Sequence, residues 1–241
     1  MDIYNKIRDS LRQHAVQLGI LDNNVIVRGR PLLPEEAIGS PEHDDYPLVK
    51  GREVMLEVEV AGAIGQAFTD SKGHYEGTVK DVLELPLCDS FERTLLIATL
   101  NAVLRKADVI EKTRHCKNDE LVECAQQLVT HIANSYGSPR VLLVGLQPRM
   151  LEYLSKSFET RVLDLDFDNI GKKKFGITIE SGDHTENAMA WCDLMLITGS
   201  VFTNATYPLF MYSEKPKIFF GVTVGGPAHV LGLERFCACG H

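Results

Sequence analysis

The chain of 241 residues has the composition of a folded globular protein, and its formal net charge of -8 disfavours a surface for nucleic acid or anionic membranes. No apolar stretch is long enough to span a bilayer, and residues 1–10 lack the apolar centre of a signal peptide. The six cysteines are scattered and do not form the dense framework of a small secreted protein. We therefore expect reduced thiols and a cytoplasmic location.

The first part of the chain predicts a small α+β domain. Residues 2–18 have one apolar face and begin with an aspartate, which is typical of an amphipathic helix. After a proline-rich connection over residues 31–51, which at that length is usually functional or packed as a lid, residues 54–60 and 64–69 predict two paired strands. Residues 89–105 then predict a buried helix that is apolar nearly all round.

The pattern changes after Gly137. Short apolar runs that predict strands then alternate with helical segments, and the basic run at 172–174 is interpreted as a solvated loop. This alternation is typical of a parallel sheet covered by helices on both faces. We predict two domains, 1–136 and 137–241, the second Rossmann-like. Its predicted strands are 140–145, 161–165, 193–199 and 217–221, and its predicted helices are 185–191, 203–211 and one beginning at Pro148.

The strand ends of the second domain predict a ligand crevice. They are rich in glycine and small hydroxyl residues, which let a ligand approach the backbone closely. The carboxyl ends of parallel strands meet at one edge of a sheet, where helix starts supply N–H donors. The candidate ligand-binding residues are Gly145, Pro148, Asp164, Thr198, Gly199, Asn204, Thr206, Gly225, Pro227 and, from the apolar helix, Asn101.

Several of these residues allow two interpretations. Asp164 follows Gly145 at about the spacing that places an acid on a ribose hydroxyl in dinucleotide-binding folds, but the turn has one glycine where the motif has three. The pair fits a tight turn and a plain strand-end acid equally well. A buried Asn101 needs hydrogen-bond partners, so it either ties down a neighbouring loop or reaches into the crevice.

A metal site is the second chemical possibility. His115 and Cys116 place an imidazole beside a thiol, and such donors suit zinc and other soft divalent metals. Two adjacent residues cannot surround a metal, so further ligands have to come from elsewhere. The candidates are His43, Asp44 and Asp45 in the long connection, or the tail 237–241, whose two thiols lack a zinc-ribbon spacing. Each of these residues also has a structural interpretation. His43 and the acidic residues of the long connection are typical of turns, and Cys124 is interpreted as a core residue.

Several segments together resemble the family named for heavy-metal chelation, long catalogued as a domain of unknown function. The resemblance covers nearly the whole chain. It implies an α/β fold in which a small α+β domain like the N-terminal domain of enolase packs on a Rossmann-like parallel-sheet domain, with a site in the cleft between them. The segments are GQAFTD at 65–70, LNA at 100–102, TRHC at 113–116, LITG at 196–199 and NAT at 204–206.

The predicted function is binding of a metal, a metal chelate or a small anionic ligand in the interdomain cleft, in heavy-metal handling. The alternative is a transferase that uses a nucleotide-containing cofactor, S-adenosylmethionine or a nicotinamide dinucleotide. A module without a small ligand would leave the polar strand ends and the long connection unexplained. No hydrolase, P-loop or zincin motif is present in the sequence, so the reaction, if any, stays open, and a homo-oligomer is allowed.

Overall fold

The structure is a computed structural model, and it describes residues 2–27, 33–40, 42, 45–46, 53–71 and 73–241. His43 and Asp44, two of the predicted metal ligands, lie outside the described residues. No helix in the described ranges combines the length and the apolar character that a bilayer crossing requires.

The N-terminal half, up to Lys106, is a small antiparallel sheet packed against helices. Its elements are α1 (Ile3–Leu18), β1 (Ile26–Val27), α2 (Pro34–Ile38), β2 (Val54–Val60), β3 (Ala63–Thr69), α3 (Val79–Leu83) and α4 (Ser90–Lys106). Strand β2 is central and pairs antiparallel with β1 and β3. The predicted pair of strands and the first predicted helix are confirmed. Both could be predicted because their apolar residues repeat with the periods of a strand and of a helix.

Helix α4 connects the small sheet to the rest of the molecule. Asp89 caps it by accepting a hydrogen bond from the Glu92 N–H at 2.9 Å, and the Glu92 carboxylate accepts one from the Cys88 N–H at 2.8 Å. From residue 94 to residue 104 every side chain of this helix is buried. Helix α4 contacts β2 and β3 on one side and α1 on another, so it lies at the centre of the fold.

The C-terminal half, from Glu120, is a seven-stranded sheet between helices. Its elements are α5 (Glu120–Tyr136), β4 (Val141–Val144), α6 (Pro148–Ser157), β5 (Thr160–Asp164), β6 (Lys173–Lys174), β7 (Ile177–Ser181), α7 (Thr185–Trp191), β8 (Leu194–Thr198), α8 (Pro208–Met211), β9 (Lys217–Phe220), α9 (Gly225–Leu231) and β10 (Arg235–Phe236), with single 3-10 turns at Gly182–His184 and Gly199–Phe202. The strand order is β10-β9-β8-β4-β5-β7-β6, parallel except for β6. The predicted α/β fold with a Rossmann-like parallel sheet is therefore confirmed.

Two segments of this half differ from their predictions. The basic run 172–174 is exposed at its first two residues, as predicted, but the prediction of a loop is wrong, because Lys173–Lys174 is strand β6 and pairs with β7. The helix predicted over 203–211 begins only at Pro208. Asn204 accepts hydrogen bonds from the N–H and hydroxyl of Thr206, and Ala205 has a φ of 62°, so the chain turns sharply there before the proline starts the helix.

The two halves share an apolar core. One cluster of buried side chains combines Ile7 and Leu11 of α1 with Met195 and Phe219 of the large sheet. A second cluster on the opposite face of that sheet includes Leu128 of α5 and residues of α6. The domain boundary near residue 137 stays a prediction. The shared core holds the strand ends of the large sheet against the small sheet.

The connection before β2 is attached to the C-terminal half through Asp45. Its carboxylate accepts hydrogen bonds from Arg149 at 3.0 and 3.1 Å and from Lys174 at 2.8 Å. The Arg149 side chain is only 4% exposed, and its guanidinium lies 5.2 Å from the centre of the Phe175 ring. Glu152, on the same helix, accepts a further hydrogen bond from this guanidinium at 2.5 Å, so the buried cation is balanced by two carboxylates, of which Asp45 is the one from the connection.

We expect Asp45→Ala to lower the free energy of unfolding by roughly 1–3 kcal/mol, because it removes charge-assisted hydrogen bonds from a buried guanidinium. Burial acts to raise the pKa of Asp45, but Lys174 and Arg149 together lower it below its usual value. The stabilisation is therefore present at neutral pH and is lost as the pH falls below about 4. Urea unfolding at neutral pH and at a pH below about 4 measures this difference in stability. Asp9→Ala, on the exposed face of α1, is the control. A loss of equal size at both pH values would contradict the assignment.

Candidate functional site

Two adjoining cavities lie between the halves, at the carboxyl ends of β4, β5 and β8. The larger has a volume of about 450 Å³ and the smaller about 110 Å³. Glu53, Gly145, Thr198 and Ser200 line both, so these four residues stand between them. The predicted crevice is therefore two neighbouring spaces with different linings.

Gly145 brings two strand ends close together. Its φ is 85°, a conformation that favours glycine, and a Cβ atom built on it would lie 2.6 Å from Cγ2 of Thr198. Any larger residue would push the end of β4 away from the end of β8. Backbone conformation and packing alone therefore require glycine at this position, whether or not a ligand binds.

The larger cavity combines carboxylates with exposed apolar side chains in its lining. Leu165, Phe167 and Leu209 line it and are 58%, 87% and 57% exposed. Hydroxyl and amide side chains fill much of the wall between the mouth and the strand ends. The carboxylates that line it belong to Glu53, Asp70, Asp164 and Asp166, and the hydroxyl and amide groups to Thr69, Asn169, Thr185, Thr198, Ser200, Thr203, Asn204 and Thr206.

Asp164 at the end of β5 is held by the backbone. One carboxylate oxygen accepts from the Leu146 N–H at 2.7 Å and the other from the Asp166 N–H at 2.6 Å. Burial raises the pKa of Asp164 above its ordinary value. The acid therefore stabilises the turn after β4, and its side chain also lines the larger cavity.

The start of α6 is capped by the chain itself. The Gln147 side chain accepts from the Met150 N–H at 2.6 Å, and the Leu146 N–H is bonded to Asp164. Pro148 has no N–H and lines the smaller cavity only. Several donors that would bind a phosphate in a dinucleotide-binding turn are thus engaged or missing.

Glu53, just before β2, is the residue at this site that the sequence did not indicate. It lies at the junction of the two cavities, and no described residue donates a hydrogen bond to its carboxylate. Burial, with the nearby charges of Asp164, Asp166 and Asp70, raises the pKa of Glu53 to about 7. A carboxyl group with a pKa near neutrality in a cleft is typical of functional sites.

The smaller cavity contains the predicted imidazole and thiol. His115 and Cys116 both line it. Nδ1 of His115 lies 2.7 Å from the carbonyl oxygen of Cys116, so this nitrogen donates and Nε2 keeps the free lone pair. Burial lowers the pKa of His115, which makes the neutral ring the dominant form at pH 7. This ring is therefore in the state that binds metals.

Three further cysteines surround Cys116. Cys124 and Cys237 line the same cavity, and Cys239 packs against the side chains around both Cys116 and Cys124. A hydrogen bond from Cys116 lowers the pKa of Cys124 below its usual value against the effect of burial, with help from the backbone N–H groups of Ala238 and Cys239. The pKa of Cys116 is raised in turn. We call His115, Cys116, Cys124, Cys237 and Cys239 the thiol cluster.

Backbone pairing holds the C-terminal tail in the cluster. The Arg114 N–H donates to the His241 carbonyl at 2.8 Å, and the His241 N–H donates to the Arg114 carbonyl at 2.9 Å. Lys112 Nζ donates to the Ala238 carbonyl at 2.7 Å. Because the tail lies beside the segment that precedes Cys116, its two thiols are brought to the thiols of Cys116 and Cys124.

The structure brings most of the predicted site residues together. Gly145, Asp164, Thr198, Asn204 and Thr206 line the larger cavity, and Pro148, Gly199, His115 and Cys116 line the smaller. Three predicted ligand-binding residues line neither cavity: Asn101, Gly225 and Pro227.

Asn101 connects the halves instead. Its amide nitrogen donates to the carbonyl oxygens of Gln66 at 3.1 Å, Val222 at 3.2 Å and Thr223 at 3.4 Å, and its amide oxygen accepts from the Gly226 N–H at 2.6 Å. The loop-tying interpretation of this residue accounts for its burial in α4.

Fold and cleft together define a class: a two-part α/β protein with a Rossmann-like C-terminal half and a ligand-sized space beside its strand ends. No protein-family profile and no curated protein matches the chain. Two crystal structures of DUF364 family proteins of unknown function are similar to it in fold. The Pyrococcus horikoshii protein is 16% identical over 92% of this chain and 80% of its own, with a TM-score of 0.55. The Desulfitobacterium hafniense protein is 14% identical over 74% and 72%, with a TM-score of 0.51.

Proposed function

We propose that this chain binds one soft metal ion at the thiol cluster. The supporting observation is convergence, since three thiols and a neutral imidazole line one small cavity and the thiol of Cys239 packs beside them. Thiolate and imidazole are the donors that zinc and copper-class ions prefer. The resemblance to the heavy-metal chelation family points to the same chemistry.

The donor set fits such an ion in the type of its donor atoms and in the hydrogen bond that orients the histidine ring. A metal-binding histidine usually donates its other ring N–H to a carbonyl or carboxylate, and His115 donates Nδ1–H to the Cys116 carbonyl. Within the described part of the chain no three His, Cys, Asp or Glu side chains stand together at metal-ligand distances. Binding therefore requires cysteine side chains to change rotamer around the cavity of about 110 Å³.

Of the ligands predicted from the sequence, a small anion is the least supported. The described residues that line the two cavities include carboxylates but no lysine or arginine. An anion would meet like charges there, which costs free energy in a partly desolvated site. A metal, alone or on a chelate, is attracted by the same charges.

Zinc titration with thiol counting tests the proposal. Reduced protein should take up one equivalent of zinc in competition with a colorimetric chelator, and the cluster thiols should become protected from N-ethylmaleimide in mass-spectrometric peptide maps. The exposed Cys88, outside the cluster, should stay reactive and serves as the internal control. Failure to take up zinc, or protection that is equal for Cys88 and the cluster, would contradict the proposal.

A transferase with a nucleotide-containing cofactor is the second candidate. The observation that favours it is the position of Asp164, which lines the larger cavity at the end of β5 where such folds place a ribose-binding acid. The engaged N–H groups around Leu146 and Met150 leave a pyrophosphate few donors. S-adenosylmethionine, which has no phosphate, therefore fits this candidate better than a nicotinamide dinucleotide.

For this second candidate, Asp164→Ala should weaken S-adenosylmethionine binding by roughly 1–3 kcal/mol, the usual scale for hydrogen bonds to a charged group. Zinc binding should be unchanged in the same variant. Calorimetric titrations of the wild type, Asp164→Ala and Cys116→Ser measure both ligands. Cofactor binding that survives in Asp164→Ala, or is absent from the wild type, would reject the transferase.

A further inference from the structure

The larger cavity has the features of a binding site separate from the thiol cluster. Its volume of about 450 Å³ lies in the range of small-molecule sites, and none of the cluster residues lines it. The half-buried Glu53 and Asp164 and the exposed Asp70 bring negative charge to its lining, and no described lining residue is a lysine or arginine. We infer that this cavity binds a small organic cation, an amine or sulfonium, with its charge against Glu53.

Glu53 is the lining residue whose charged form a cationic ligand would stabilise most. Its side chain is half-buried between the cavities and receives no hydrogen bond from any described residue. A carboxylate that is partly removed from water and has no donor is unfavourable, so it either keeps a proton or acquires a positive partner. Its pKa of about 7, raised by burial and the neighbouring acids, places it between these two states at neutral pH. An ammonium or sulfonium ligand would stabilise the charged form.

The mouth of the cavity indicates an organic rather than a simple inorganic cation. Leu165, Phe167 and Leu209 expose large apolar surfaces around the opening, with Phe167 at 87%. Thr203 and Asn204 add polar groups beside them. A ligand with a charged centre and an apolar or aromatic part would contact both regions, whereas a bare metal ion would leave the apolar rim exposed to water.

The hydrogen bonds at the strand ends argue against a phosphate in this place. Asp164 already accepts the Leu146 N–H, and Gln147 accepts the Met150 N–H. The remaining wall offers carboxylates, which repel phosphate oxygens. Sulfonium and amine ligands are therefore favoured over nucleotides with a phosphate chain.

Two matched ligand pairs test the charge requirement by isothermal titration. One pair is S-adenosylmethionine and its uncharged thioether S-adenosylhomocysteine, and the other is choline and 3,3-dimethylbutan-1-ol. At least one cation should bind, and its uncharged counterpart should bind at least about tenfold more weakly, since a single desolvated charge contact is worth that much. Glu53→Gln, which keeps the shape and removes the charge, should weaken the cation about tenfold or more.

Controls separate this site from the thiol cluster. Glu84→Gln, in an exposed pair with Arg12, should leave the affinity unchanged, and Asp70→Asn provides a second cavity variant if Glu53→Gln fails to fold. Cys116→Ser should keep cation binding even where zinc binding is lost, so the two proposals can fail independently. Absence of binding by both cations, equal binding of the uncharged partners, or full affinity in the folded cavity variant would overturn the inference.

Discussion

Asn101→Leu should lower the free energy of unfolding by about 3–5 kcal/mol, among the largest effects of any single substitution. The side chain is fully buried in α4 and bonds to backbone groups of β3, of the turn before α9 and of the first turn of α9. Leucine has a similar size but cannot bond, so a buried N–H of Gly226 and several carbonyls would lose their partner. Each such loss costs roughly 1–3 kcal/mol.

Chemical denaturation measures this effect, and Thr99→Val is the matched control on the same helix. The Thr99 hydroxyl is buried and has no hydrogen-bond partner within the described residues, so its removal should be neutral or stabilising. An Asn101→Leu variant as stable as Thr99→Val would show that the amide does not hold the two halves together.

Cys124→Ser should weaken zinc binding by more than the roughly 10–100-fold that loss of an outer-sphere partner costs, because it removes a thiolate donor. Cys116→Ser should have the same effect, since both thiols line the smaller cavity. Metal binding should also weaken with acid in the wild type, as the ligands must lose protons to bind. Competition titrations against a colorimetric zinc chelator measure both effects.

Two cysteines outside the cluster serve as controls for this prediction. Cys88→Ser removes an exposed thiol, and Cys192→Ser removes a buried one that belongs to the shared core. Both should keep the zinc affinity of the wild type, although Cys192→Ser should lose some stability. Unchanged zinc affinity in folded Cys124→Ser and Cys116→Ser would contradict the proposal that the thiol cluster binds the metal.

Local patterns were sufficient to predict much of the fold. The alternation at 54–60 predicts β2 at its observed bounds, and the cap at Asp89 predicts the start of α4. Apolar runs separated by helices predicted the parallel pairing of β4, β5, β8 and β9. These signals are local, because each depends on residues within one or two turns or on the period of a single element.

The site depends on contacts between distant segments, and those are not visible in a local pattern. Cys124 has the position of a core residue on the stripe of α5 and is indeed buried, yet it also lines the smaller cavity. Its relation to Cys237 arises only when β10 joins the sheet and the tail pairs with Arg114. Glu53 precedes a strand with other acids, so nothing in the sequence distinguishes it from a solvated residue.

The metal content of the untagged native protein, purified without added chelator, decides whether the thiol cluster holds a metal ion. Elemental analysis by mass spectrometry should find close to one zinc or copper-class ion per chain in the wild type and in Cys88→Ser. The same analysis should find almost none in folded Cys124→Ser. Wild-type protein that contains no such ion, and takes up none when reduced and incubated with zinc, would contradict the proposal that the thiol cluster is a metal site.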